Sequence, residues 1–324
     1  MLVRLSWILL ILAPVMVRAQ EDRQVSEDTL FKQIQPILNA FPTSVQRSTL
    51  TKLLNQLPKP INPKDTLTWD GKGDFSILLN QAAFNADWSG GGTTNVSGNT
   101  IINYDLHYKG ERWTWDSKFR GAYGLTKIKD ESDVRKTDDF IEINSVLGRN
   151  ASRYWYYSGY LNFKTQLDNG FRYTPEERIE ISDRFSPAFL QVGLGALYKR
   201  NNNFRVNLSV ATLRAIFVNS RFTEEKAAFG VDQGESSSLE FGASLSGYYK
   251  FLIVKNISFE QIFNFYSNYL ENPENIDIDY TATLNMDVTK YITSKVIFQT
   301  VYDDNTVKAF QVRQLFGLGF NVAL

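Results

Sequence analysis

The most constraining feature of this sequence is a series of long segments in which apolar and polar residues alternate. In one of them, Ile102, Tyr104 and Leu106 alternate with Asn103 and Asp105. Period-two alternation predicts strands with one apolar and one polar face. There are about twelve such segments, many of them about 10–16 residues long, enough for a tilted strand to cross a bilayer. Their approximate bounds are 72–84, 95–109, 111–126, 138–148, 152–166, 187–199, 203–217, 236–252, 256–270, 276–289, 293–303 and 312–324.

The connections between these segments alternate between tight turns and longer loops. Short periplasmic turns and long extracellular loops are typical of outer-membrane barrels, whereas a soluble β-sandwich has no reason to alternate in this way. An even number of strands also predicts that both termini lie on the periplasmic side. The turns are expected at 109–111, 149–151, 200–202, 254–255 and 290–292, and the loops at 85–94, 127–137, 167–186, 218–235, 271–275 and 304–311.

These patterns predict an all-β fold. We expect a transmembrane antiparallel β-barrel of about twelve strands over residues 67–324, in the outer membrane of a Gram-negative bacterium. The last residues support this expectation, because apolar side chains alternate from Phe316 to Leu324 as they do in outer-membrane sorting signals. Trp113, Trp155 and other aromatic residues fall near the expected periplasmic strand ends, where an aromatic girdle lies in such barrels.

The N-terminal part of the chain has a different pattern. A basic start followed by an apolar run predicts a signal peptide over residues 1–19. Residues 20–66 predict a short periplasmic helical segment, because Leu30, Ile34 and Leu38 recur at helical spacing before a proline-rich linker. This segment either packs on its own barrel or docks a partner.

Composition excludes several classes of site. The chain has no cysteine, so a disulfide framework or a thiolate metal site is impossible. Lysine plus arginine and aspartate plus glutamate balance at 35 each, which argues against a nucleic-acid partner. We expect no cofactor, no metal and no catalytic residue. The expected partners are outer-membrane lipid and other outer-membrane or periplasmic proteins.

Alternation also predicts which charged side chains face the inside of the barrel. Opposite charges across a narrow lumen are expected to pair and fill it, since an unpaired charge away from water is costly. The alternatives are a cation path lined by carboxylates and a calcium site in an oxygen-rich loop. The expected lumen-lining residues are Asp105, His107, Asp116, Lys118, Arg120, Glu142, Lys164, Arg205, Glu240, Lys250, Asp277, Asp279 and Asp287.

His107 is the only histidine and therefore the only candidate base of a Ser/His lipid hydrolase. It is expected in the lumen, but next to the turn at Lys109, at the periplasmic end of its strand. Chemistry on the outer leaflet needs a base at the opposite end. We therefore expect a hydrogen-bonded lumen histidine. One histidine also cannot make a multi-histidine metal site.

Several short motifs resemble a Bacteroidota family of unknown function, the domain-of-unknown-function family 3078. The first is Gln81-Ala82-Ala83-Phe84 followed by Trp88-Ser89-Gly90-Gly91-Gly92. The others are Lys136-Thr137-Asp138-Asp139, Ser186-Pro187-Ala188, Asn272-Pro273-Glu274-Asn275-Ile276-Asp277 and Tyr302-Asp303-Asp304. The resemblance implies an outer-membrane β-barrel and supplies no catalytic residue.

Two functional classes remain from the sequence. The first is a porin-like narrow channel or small-solute transporter lined by the inward polar residues. The second is a non-conducting structural or assembly component of an outer-membrane complex, which acts through its periplasmic helices and its loops.

Overall fold

The computed structural model describes residues 68–83, 93–174, 177–303, 305 and 307–324. The expected signal peptide and the expected helical segment lie outside the described residues, so both stay predictions. None of the helical structure in the described part of the chain is long and apolar enough to cross a bilayer.

Within the described residues, twelve antiparallel strands close into one barrel, which confirms the predicted fold class. Barrel strands that follow one another in the chain pair around the ring, and the last strand closes the ring by pairing with the first. The barrel strands are β1 (Thr68–Ala82), β2 (Asn95–Lys109), β3 (Trp113–Ile128), β4 (Val134–Asn150), β5 (Trp155–Thr165), β8 (Ala188–Asn201), β9 (Phe204–Phe217), β10 (Ser237–Val254), β11 (Ile257–Asn268), β12 (Asp277–Asp287), β13 (Ile292–Asp303) and β14 (Val307–Ala323).

The expected loop 167–186 contains structure that the alternation did not predict. Strands β6 (Gly170–Tyr173) and β7 (Arg178–Ser182) pair as a separate hairpin outside the barrel. A 3-10 turn over Ser220–Phe222 lies in another long loop. Strands of 4 and 5 residues are too short to show a clear period.

The two ends of the barrel differ in their connections. The end with the short connections is called the turn end, and the end with the long connections is called the loop end. β1 starts and β14 finishes at the turn end, where the Leu324 N–H donates to the Gly73 carbonyl at 2.9 Å. The turn end has the connections 110–112, 151–154, 202–203, 255–256 and 288–291, and the loop end has 83–94, 129–133, 166–187, 218–236, 269–276 and 304–306. The last of these is short, because β14 begins at Val307 and the predicted loop 304–311 is therefore too long.

Burial is inverted relative to a water-soluble protein. Asp116 and Lys118 are only 1% and 3% exposed, whereas Leu194 and Leu239 are 68% and 66% exposed. Most apolar residues of the strands thus face outward and most charged residues face inward, with a few buried apolar residues such as Leu78 and Leu197 on the inner face. Barrel strands span 11 to 18 residues, and about 9–11 are enough to cross a bilayer. This outward apolar surface fits hydrocarbon rather than water.

Outward-facing aromatic side chains form a belt near the turn end. One part runs in ring-to-ring contact across β5, β8, β9, β10 and β11, with ring centroids 5.1 to 6.1 Å apart. A second part lies on β1, β2 and β3. Amphipathic rings at this level mark the boundary between hydrocarbon and headgroups. The aromatic belt consists of Trp69, Tyr108, Trp115, Trp155, Tyr198, Phe204, Tyr249, Phe251 and Phe259.

Candidate functional site: the charged lumen

Charged side chains face one another on neighbouring strands along the inside of the barrel. Asp105 on β2 lies opposite Lys118 on β3, and Arg120 on β3 lies opposite Glu142 on β4. Directly opposed charges of unlike sign stabilise a strand pair. Further facing pairs of this kind are His107 with Asp116, Arg214 with Glu240, and Lys250 with Glu260.

The histidine belongs to a cluster at the turn end of the lumen. His107 Nδ1 lies 2.6 Å from Asp116 Oδ1, and Lys199 Nζ donates to the same oxygen at 2.8 Å. Lys199 also donates to the Thr114 hydroxyl at 2.9 Å. Among the described residues, no serine hydroxyl hydrogen-bonds to the histidine. Asp116 therefore joins His107 and Lys199 into one cluster at this end of the lumen.

Lys118 connects opposite walls of the barrel. Its Nζ lies 3.2 Å from Asp105 Oδ1 on the neighbouring strand and 3.3 Å from Glu260 Oε1 on β11. β3 and β11 are six strands apart in either direction around the ring, so this ion pair spans the lumen. The centre of the Tyr248 ring on β10 lies 5.0 Å from Lys118 Nζ, and the Tyr248 hydroxyl donates to Glu260 Oε2 at 3.1 Å.

Lys250 and Arg205 complete this level of the lumen. Lys250 Nζ lies 3.7 Å from Glu260 Oε2, so two lysines share one carboxylate. The Arg205 guanidinium lies 4.3 Å from the centre of the Tyr248 ring, on the wall of β9. Cations over a ring face are attracted by its quadrupole.

A second set of bridges lies nearer the loop end. Arg120 Nη1 donates to Glu142 Oε2 at 3.0 Å, and Asn162 donates to the other oxygen at 3.1 Å. Lys164 on β5 reaches Asp279 on β12 at 2.5 Å, five strands away in the ring. The lumen is therefore crossed at more than one level.

Near the loop end, one guanidinium gathers three carboxylates. Arg214 on β9 binds Asp277 on β12, lies 2.9 Å from Asp303 on β13 and lies 3.6 Å from Glu240 on β10. One guanidinium thus lies beside one oxygen of each of the three acids. Within the described residues, no group of three or more histidine or acidic side chains is placed to hold a metal ion.

Arg313 makes a further crossing, since it binds Asp138 and thereby joins β14 to β4. Lys295 on β13 reaches Asp74 on β1 at 2.6 Å. These contacts lie between strands that do not pair with each other. These strands are therefore joined by side-chain ion pairs and not by backbone hydrogen bonds.

Cavities remain between the bridges, and two of them are lined in part by Lys118 and Arg120. The larger one has a volume of about 190 Å³ and is lined by Lys118, Arg120, Lys250 and Arg313 together with acidic and amide side chains. The smaller has a volume of about 40 Å³ and lies on the other side of Lys118 and Arg120. The larger cavity can hold water, because polar partners surround it, whereas the walls of the smaller one are mainly apolar.

The structure brings most of the thirteen expected residues into this network. Asp287 differs, because it is exposed at the turn end, although it lines the larger cavity. Whether any of the thirteen lines a permeation path stays a prediction.

Sequence reasoning missed several members of the network. Glu260 was inside a predicted strand, at a position that alternation assigns to the inner face, and this signal could have identified it. Alternation predicts that the fourth strand begins at Asp138. The strand β4 in fact begins at Val134, so Asp138 lies inside it. The members missed in this way are Asp74, Asp138, Arg214, Glu260, Lys295, Asp303 and Arg313.

Several solved structures are similar to this chain. One is the translocator domain of the autotransporter NalP from Neisseria meningitidis, at 10% identity, 86% coverage of this chain, 96% coverage of that chain and a TM-score of 0.34. Another is the COG4313 outer membrane channel from Pseudomonas putida F1, at 11% identity, 81% and 98% coverage and a TM-score of 0.33. A third is the outer membrane phospholipase A from Escherichia coli, at 12% identity, 83% and 96% coverage and a TM-score of 0.33.

No curated protein matches the sequence. One family model matches the chain from the end of β1 into β6. This stretch contains the first two motifs of the resemblance. The resemblance to a family of unknown function is thereby confirmed over residues 79–171, which match the family described as "Protein of unknown function (DUF3078)".

Proposed function

We propose that this chain is a non-conducting outer-membrane barrel whose lumen is sealed by ion pairs, and that it serves as a structural or assembly component. The observation that carries the proposal is the Lys118–Glu260 ion pair between opposite walls. A permeation path through this level needs the pair to separate. Both side chains are little exposed, and a buried charge without its partner is costly, so we expect the pair to stay closed.

A second candidate function is a narrow channel for small solutes. The observation that favours it is the polar cavity of about 190 Å³, which is large enough for several water molecules. In this alternative the ion pairs act as a gate rather than as a permanent seal. Both candidates place the same residues in the lumen, so only conductance separates them.

Single-channel recording in planar bilayers tests the two candidates. We expect the purified wild-type protein to show no opening steps, provided that its heat-dependent gel mobility proves a folded barrel. Opening steps in the wild type would reject the sealed barrel and support the channel.

A variant that lacks the bridges Lys118–Glu260 and Lys164–Asp279 tests the origin of the seal. It carries Lys118→Ala, Glu260→Ala, Lys164→Ala and Asp279→Ala, which leave the net charge unchanged. We expect this variant to conduct. A matched neutral control removes the two loop-end pairs Glu131–Arg135 and Lys136–Asp139, and it should remain silent. Silence of the folded bridge variant would contradict the assignment of the seal to these residues.

The proposed orientation places the turn end and both termini in the periplasm. It is supported by the short connections at that end, as in other outer-membrane barrels. An epitope inserted after Lys226 should be reached by antibody on intact cells. An epitope inserted after Lys290 should be reached only after the outer membrane is permeabilised. The reverse labelling pattern would reject this orientation.

The proposed partners are outer-membrane lipid and other outer-membrane or periplasmic proteins, and we propose a source in the Bacteroidota from the residues of the resemblance. No catalytic role is proposed, since His107 is held by Asp116 at the turn end. Deletion of residues 21–66 tests the docking role of that segment. If the set of co-purifying proteins is unchanged, the docking role is wrong.

A further inference from the structure

The turn end carries a set of exposed basic residues that outnumbers the exposed acidic residues in and beside the same connections. The residues concerned lie in the short connections or within two positions of them, and all are exposed. Within the same bounds the acidic residues are Glu111, which lies in a connection, and Asp287, which lies next to one, and both are exposed. The basic ring consists of Lys109, Arg112, Arg149, Arg153, Arg200, Lys255 and Lys290.

The basic ring differs from the basic residues of the loop end in its pairing. At the loop end, Arg135, Lys136 and Arg221 each lie 2.8 Å from a carboxylate oxygen. Within the described residues, no member of the basic ring makes an ion pair. The ring therefore presents cationic groups that no carboxylate in the described part of the chain neutralises.

Aromatic contacts place these cations at the edge of the apolar surface. The Arg149 guanidinium lies 5.9 Å from the Trp113 ring, and the Lys290 ammonium lies 5.1 Å from the Tyr291 ring. The aromatic belt lies directly on the barrel side of the same turns. Side chains of this kind sit at the level of lipid headgroups, where phosphate groups are within reach of lysine and arginine.

We propose that the basic ring is a binding surface for anionic phospholipid headgroups, such as that of phosphatidylglycerol. Arginine and lysine donate charge-assisted hydrogen bonds to phosphate oxygens, and the aromatic belt holds the adjoining acyl region. A zwitterionic headgroup carries its own ammonium and therefore gains less from the ring. The selection is a property of the turn end and does not depend on whether the lumen conducts.

Lipid selection is measured with spin-labelled phosphatidylglycerol and spin-labelled phosphatidylcholine around the full chain, reconstituted in phosphatidylcholine vesicles. We expect several-fold stronger association of the anionic label at low salt, and a fall in this ratio as salt rises, because ions screen exposed charges. Equal association of the two labels at low salt would overturn the proposal. Inorganic phosphate at the concentration of the labelled lipid should leave the ratio unchanged, whereas displacement by it would show a site for free phosphate instead.

A triple variant identifies the surface. Arg112→Gln, Arg153→Gln and Lys290→Gln together should lower the ratio towards one, because each removes a cationic contact to the headgroup phosphate. The control changes three exposed loop-end residues, Lys129→Gln, Arg172→Gln and Lys226→Gln, and thus removes the same net charge. The control should keep the wild-type ratio. An unchanged ratio in the turn-end variant, or an equal loss in both variants, would contradict the assignment.

Discussion

Lys118 shows how single residues hold this barrel together, because one ammonium group serves two carboxylates and an aromatic ring on three strands. Its side chain is 3% exposed, and that of Glu260 is 13% exposed. In such surroundings a lost partner leaves a charge without compensation, which costs more than the original pair contributed.

Lys118→Ala should therefore destabilise the folded barrel by about 3 kcal/mol. The measurement is urea unfolding in lipid vesicles, followed by tryptophan fluorescence. Arg135→Ala is the control, because its pair with Glu131 is about one-third exposed and such surface pairs contribute about 0–1 kcal/mol. Equal losses in the two variants would show that the lumen charges are solvated like surface charges.

Asp168 gives a residue-scale prediction outside the membrane-spanning strands. Its pKa is lowered, first because the Tyr123 hydroxyl donates to it at 2.9 Å and next because the Asn169 N–H donates to it. A lowered folded-state pKa means that the contact stabilises the loop above the ordinary carboxyl pKa. This stabilisation is lost as the pH falls through the pKa of the folded state.

Tyr123→Phe should raise the pKa of Asp168 towards its ordinary value, measured by a carbon NMR titration of the side-chain carboxyl. Tyr157→Phe is the control, since Tyr157 lies at the turn end, far from this loop. A pKa of Asp168 that stays unchanged in Tyr123→Phe would show that the hydroxyl does not lower it.

At the scale of strands, the close approach of two backbones limits which residue types a position can carry. The register between β8 and β9 shifts at Leu194 and Gly195, which is a β-bulge. A β-carbon at Gly195 would overlap the backbone carbonyl of Leu208, so the strand must carry glycine there.

Gly195→Ala should destabilise the barrel by about 1–3 kcal/mol, because backbone atoms must move to admit the methyl group. Gly159→Ala is the matched control, since a β-carbon at Gly159 has nothing within 4 Å. Both are measured by urea unfolding in vesicles. A Gly195 variant as stable as the Gly159 variant would show that the bulge relaxes without cost.

The strands were predictable because each one carries its own alternation. β2 was predicted with its observed bounds, and most other barrel strands begin or end within a few residues of the prediction. β6 and β7 were not predicted, because their alternation is too short to detect. The inward face was also predictable in part, but the partner of Lys118 across the lumen was not. That partner depends on how the ring closes and on its width, which no local pattern encodes.

At the scale of the whole molecule, the ring has one seam between its first and last strands. The pairing of β1 with β14 covers six residue pairs, from Asp74 to Leu79, whereas that of β1 with β2 covers fifteen. A strand pair with fewer backbone hydrogen bonds needs less free energy to separate. The seam is therefore expected to open more readily than the other strand pairs.

Hydrogen exchange of the reconstituted protein should show lower protection for the β1 and β14 amides of the seam than for the amides of β2 and β3. The chain has no cysteine, so a pair introduced by Ser76→Cys and Asn321→Cys, whose native side chains lie 2.7 Å apart, can form only one disulfide. This disulfide should raise the protection of the seam, because it prevents the two strands from separating. The control pair, Ser97→Cys with Thr126→Cys, joins β2 to β3 and should leave seam exchange unchanged. Equal protection of the seam and of β2 with β3 in the wild type would contradict a weak closure.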